Sequence, residues 1–239
     1  MASTRHVLLN NVEHQALRII TGRGARYGDA VMAAATFPAE FRNVQACYPI
    51  VFQKRADGQG FQPLALFGWR EGENLFLDGD RWDAGYVPLA IERAPFLIGF
   101  DGTEPVIHLD AASPRVSLTE GEPVFLPHGG STEYLERVSA MLQSLHEGLQ
   151  ATPAFIEALL AHQLLEPFAL DIEHDDGTLQ RWQGFYTIHE ERLQQLDGAA
   201  LGQLQQAGHL MPIYMVLASM SRLRDLIDRA ARRRAGQGQ

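Results

Sequence analysis

The chain has 239 residues, 46% hydrophobic and 21% charged, an ordinary globular composition that can bury a sizeable core without disulfides. Its one cysteine, Cys47, excludes an internal disulfide. With 29 acidic against 20 basic residues the net charge is −9, which excludes the broad basic face that nucleic-acid binding requires.

The start, MASTRHVLLNNVEHQ, has only the short apolar run VLL, too short for a signal peptide, and no later run reaches membrane-span length. A cytoplasmic protein with no membrane insertion is expected. Residues 5–20 read as one or two short strands. TGRGARYGD (21–29) is a glycine-rich turn without the lysine of a phosphate loop. AVMAAATFPAEF (30–41) is open between strand and helix, because short apolar runs cannot be assigned by period alone.

Tyr48-Pro49-Ile50-Val51-Phe52 is a strand, Asp57-Gly58 marks a hairpin turn, and FQPLALFGW and LFLD complete a three-stranded meander over 48–78. DGDRWDAGYVP (78–88) is a loop anchored by aromatics. PLAIERAPFLIGF then reads as extended and EPVIHLD as a further strand. After PHGGS (127–131) the pattern turns helical. Tyr134, Leu135, Val138, Met141, Leu142 and Leu145 recur at three- and four-residue spacing, with Ser131 or Thr132 as cap. Thr152-Pro153 reads as the start of a second helix.

Residues 168–188 form a hairpin turning at Asp176-Gly177. Thr187 to Glu190 has the form of a capping box, Asp197 caps another helix, and Gly208 ends it. A final helix runs from Pro212 to about Arg233. The expected fold class is α+β: one domain over 1–239, with an antiparallel β-rich half (1–127) packed against a mainly helical half (131–234).

Several patterns bear on chemistry. His108 and Asp110, two apart on a strand, share a face and match two ligands of a 2-His-1-carboxylate iron site. A histidine from His128, His146, His162, His174, His189 or His209 would have to complete it. The plainer reading is a strand end with a solvated Asp110. Cys47, beside a strand, reads as a small core residue. There is no GxSxG, no zinc spacing of Cys and His, and HEERL (189–193) is not HExxH. Asp171, Glu173, Asp175 and Asp176 around His174 offer oxygen ligands to a hard cation, but they lack EF-hand spacing and read more plainly as a solvated turn. The arginines 222, 224, 229, 232, 233 and 234 read as a helix end whose charge offsets the dipole, with a phosphate or acidic-partner contact as the alternative. No metal and no cofactor is expected.

Trp69, Arg70, Asn74, Trp82, Asp83, Tyr86 and Arg93 make up the set best suited to bind a ligand or partner, since Trp, Tyr and Arg anchor interfaces; the plainer reading is loop packing, with Trp82 and Tyr86 closing the end of the core. Catalytic residues are not assigned.

The chain resembles the SapC family of bacterial proteins. The resemblance rests on Tyr48-Pro49-Ile50-Val51-Phe52, Phe67-Gly68 with Glu73-Asn74-Leu75-Phe76, Arg81-Trp82-Asp83 with Tyr86-Val87-Pro88, and Arg93 with Pro95-Phe96. Gly184-Phe185-Tyr186, Glu190, Leu193 and Gly208 extend it. It implies a role in nutrient uptake or in modifying an imported or secreted molecule, and with the 69–96 surface as the binding region an accessory protein binding a peptide, protein or small metabolite is expected. Such a protein would work beside TonB-dependent nutrient uptake or flavin-dependent halogenase and oxygenase systems. An iron oxygenase using His108 and Asp110 and a surface-layer component are the alternatives.

Overall fold

The computed structural model describes residues 4–58, 60–173 and 179–237. In chain order the elements are β1 (His6–Leu8), β2 (Arg18–Ile19), β3 (Ala33–Ala35), α1 (Phe41–Val44), β4 (Ile50–Lys54) and β5 (Phe61–Leu66). Next come β6 (Leu77–Asp78), β7 (Arg81–Trp82), α2 (Leu89–Glu92), β8 (Phe96–Asp101), β9 (Glu104–Asp110), β10 (Val116–Ser117) and β11 (Glu122–Pro123). The remainder is α3 (Glu133–Ala161), β12 (Leu165–Glu173), β13 (Leu179–Ile188), α4 (Glu190–Gln194), α5 (Gly198–Gln206), α6 (Leu210–Ser219) and α7 (Arg222–Gln237). The fold is α+β, strand-rich in its first half and helical towards its end.

The chain folds into two compact units. The first comprises Met1–Ala30, Leu77–Asp83 and Leu89–Glu147; the second comprises Val31–Phe76, Ala84–Pro88 and Gly148–Gln239.

The first unit holds the antiparallel sheets β1-β9-β8 and β10-β2-β11 and the small ladder β6-β7. Leu135, Val138 and Leu142, on the expected face of α3, join Leu17, Ile19, Phe96, Leu109 and Val124 in one apolar cluster. Thr132 caps α3 by accepting from the Leu135 N–H. The glycine-rich segment closes on a buried ion pair. Arg115 is 1% exposed and Asp29 2%, and Arg115 Nη2 lies 2.8 Å from both Asp29 oxygens. Arg115 Nη1 also donates to the carbonyls of Ile20 and Gly22, and Asp29 accepts from the Gly24 N–H.

The second unit is built on the five-stranded antiparallel sheet β12-β13-β4-β5-β3, with β12 and β3 at its edges. β12 and β13 form the expected hairpin, whose turn, Asp176-Gly177, lies outside the described residues. Gly184 has φ +96° where the register slips opposite Phe168 and Leu170, so a backbone conformation that side chains resist sits at a bulge. The core is aromatic. Tyr48 meets Phe67 and Phe76 edge-on, and Phe155 meets Phe41 edge-on and Phe52 at a tilt.

Several local expectations are corrected. Leu75-Phe76 does not continue the meander, since β5's second neighbour is β3 and β6 pairs with β7. The Asn74 side chain accepts from the Phe76 N–H and bends the chain there. Leu89–Glu92, read as extended, is a helical turn after Pro88. Pro153 does not start a helix but lies inside the 29-residue α3. The carbonyl it leaves without a helical donor is that of Leu149, an exposed residue, so the loss is small. The final helix breaks after Ser219, where the Ser219 and Ser221 hydroxyls donate to the carbonyls of Val216 and Ala218. Ser219 also accepts the Ile50 N–H at 2.9 Å. Thr187 belongs to β13, and His189 caps α4 in its place. Asp197 caps α5 as expected, accepting from the Ala200 N–H at 2.8 Å.

Candidate functional site

The binding set named from the sequence divides between the units. In the second unit Trp69 and Asn74 are buried. Trp69 meets Trp182 edge-on at 5.4 Å, and Asn74 holds the bend before Phe76. The Glu73 carboxylate accepts from the Trp69 N–H at 2.8 Å and from the exposed Arg70 at 3.3 Å. Tyr86 donates to the buried Glu40 at 2.9 Å, Thr36 donates to the other Glu40 oxygen at 2.7 Å, and Tyr48 donates to the Tyr86 carbonyl. Burial, and then the Glu40 charge, push the Tyr86 hydroxyl well above its ordinary value.

In the first unit Trp82 is buried opposite Leu77, Asp83 pairs with Arg81 at 3.5 Å, and Arg93 donates to the Phe96 carbonyl at 2.7 Å. Burial lowers the Arg93 guanidinium from its ordinary value. Most of these side chains are thus engaged in holding the fold, while the buried Trp69 Nε1 has no hydrogen-bond partner among the described residues.

Asp110 accepts from the N–H groups of Arg5 and Ala112, as a strand-end residue does. Among the described residues no group of three or more His, Cys, Asp and Glu is placed to hold a metal, so no third ligand joins His108 and Asp110. His174, Asp175 and Asp176 lie outside the described residues. The C-terminal arginines are largely engaged within the fold. Arg222 and Arg224 pair with Asp225 and Asp228, Arg229 lies 4.4 Å over the Phe76 ring, and Arg233 donates to the Asn74 carbonyl.

A concave site lies elsewhere in the second unit. A groove of about 540 Å³ runs between the second half of α3, the edge strand β3 and the β4–β5 hairpin. Leu149, Pro153, Ile156 and Leu160 face it from α3, spaced four, three and four apart so that they form one stripe. Ala35, Phe61 and Pro63 form the opposite wall. Leu149 and Leu160 are 44% and 46% exposed.

The polar lining is mostly engaged within the fold. Thr36 donates to Glu40, Thr152 to the Gly148 carbonyl, Gln62 to Gln53, and Arg55 to Asp57 through Nε and Nη2. Glu157 has no hydrogen bond or ion pair among the described residues.

The SapC family model matches residues 9–226. The chain belongs to the SapC family. Searches of the curated proteins and of the solved structures give no match. Several of the residues that carried the SapC resemblance hold particular places in the fold. A Cβ on Gly68 would stand 2.6 Å from the Glu73 carbonyl oxygen, which ties Phe67-Gly68 to Glu73-Asn74. Tyr48 and Tyr86 are joined by their hydrogen bond, and Gly184 lies at the bulge.

The groove residues of this SapC protein were missed in the sequence. Their one local signal was the Leu149, Pro153, Ile156, Leu160 spacing, hidden by the reading of Thr152-Pro153 as a helix start.

Proposed function

We propose that this SapC-family chain is a cytoplasmic accessory protein that binds a small, largely apolar molecule in the α3 groove of its second unit. The observation that carries the reading is the groove itself. Its volume of about 540 Å³ falls in the range of small-molecule sites. Its lining is apolar with a few polar groups, and it keeps two leucines accessible that a closed core would have covered. A place beside TonB-dependent uptake or a flavin-dependent halogenase, as the family resemblance implies, suits a carrier or presenter of such a molecule.

The test uses the neutral fluorescent probe N-phenyl-1-naphthylamine. The full chain is expected to bind it saturably. The double variant Leu149→Ser/Leu160→Ser is expected to weaken binding at least about tenfold while keeping the parent's thermal midpoint, because both side chains are half-exposed. Unchanged affinity in the double variant would remove the groove as the site. Trp69, Asn74 and Trp82 are buried, so their truncation tests the scaffold as well as binding and serves less well.

A further inference from the structure

We propose that the ligand of this groove is a small amphiphilic cation, with an apolar body along α3 and a protonated amine paired with Glu157. This rests on the groove being the ligand site.

The charge on the lining decides the head group. Two lining side chains carry formal charge, Arg55 and Glu157. Arg55 is bound through both Nε and Nη2 to Asp57, at 3.1 and 2.8 Å. An anionic head approaching Arg55 would meet the Asp57 carboxylate at the same place. Glu157, an exposed side chain, makes no ion pair or hydrogen bond among the described residues. Its neighbours one turn away on α3 are Pro153, Ala154, Leu160 and Ala161, none of which can donate. The uncompensated charge facing the groove is therefore negative, and a cation is the complementary head.

The body follows from the stripe. Leu149 to Leu160 is eleven helical steps, about 16 Å at the rise of an α-helix. Glu157 lies beside Ile156, towards the Leu160 end of that stripe. A ligand with its amine at Glu157 can thus lay an alkyl or aryl body back towards Leu149. Such a body would remove the exposed leucine surface from water, and the head would remain at the rim where its charge stays partly hydrated.

The experiment compares decylamine, decanol and decanoate by calorimetry on the full chain and on Glu157→Gln. The parent is expected to prefer decylamine over decanol by about fivefold, the size of a rim ion pair of about 1 kcal/mol, and to bind decanoate least. Glu157→Gln is expected to equalise decylamine and decanol, and added salt to shrink the parent's preference. Equal binding of amine and alcohol, or a preference that survives Glu157→Gln, overturns the cationic ligand and leaves the apolar site standing. Binding of none of the three overturns both. A capped Leu-Lys-Leu-Leu peptide binding more tightly than decylamine would assign the groove to a protein partner and overturn the small-molecule proposal.

Discussion

The first unit buries a charged pair where the second buries rings. Around Arg115 and Asp29 the first unit gathers residues far apart in sequence: one guanidinium reaches the Ile20 and Gly22 carbonyls and a carboxylate that also holds the Gly24 N–H. The second unit achieves its order with Tyr48, Phe67, Phe76, Phe41, Phe52 and Phe155, which need no charge to be satisfied. Buried ion pairs add little net stability but are costly when half removed, whereas aromatic packing stabilises in proportion to the surface it covers. The two regions should therefore break differently.

The largest effect is expected from Arg115→Met. It leaves Asp29 buried with its main partner gone and should cost about 3–5 kcal/mol in chemical denaturation. Adding Asp29→Leu should recover part of that loss, since the stranded charge disappears with it. Phe155→Ala in the second unit should cost a similar amount, about 3–5 kcal/mol, through the cavity it opens beside Phe41 and Phe52. No partner deletion should rescue it. Finding rescue in both units, or in neither, would remove the distinction.

A smaller effect, about 1–3 kcal/mol, is expected for Ser219→Ala, which strips the buried Ile50 N–H of its acceptor. Ser219→Thr should retain more stability than Ser219→Ala if that hydrogen bond is the cause.

The mildest probe is pH. Burial pushes the Tyr134 hydroxyl in the first unit up to about 12 from an ordinary value near 10. The folded state thus holds the proton more tightly than the unfolded chain. The stability this contributes is complete below about pH 10 and is lost as pH rises towards 12. Ultraviolet titration of Tyr134→Phe should lose one late-ionising tyrosine, and its stability should fall less steeply over that window.

What was legible in the sequence was local. Asp197 announces its helix because the cap and the N–H it binds are three residues apart. The Leu135, Val138, Leu142 and Leu145 face of α3 could be read because a helix repeats within a few residues. Asp29 and Arg115 are 86 residues apart, and nothing near either one signals the other. Pro153 misled because proline is a reliable stop only where the lost hydrogen bond matters. The groove eluded the sequence for both reasons together. Its helical wall was cut in two at Pro153, and its other wall, from Ala35 to Pro63, shares no pattern with the first.

The outer edge of β12 has a consequence of a different kind. An edge strand of nine residues offers a ready template for a strand from another molecule, the usual first step towards fibrils. Here the template is spoiled along its length. Pro167 has no N–H to offer, the register slips after Phe168, and the exposed Asp171 would carry its charge into any newly added strand. At the opposite edge, β3 is only three residues long. The sheet is thus blunted at both ends, and a protein with two exposed leucines on one helix is spared a second, less selective way of sticking to its neighbours.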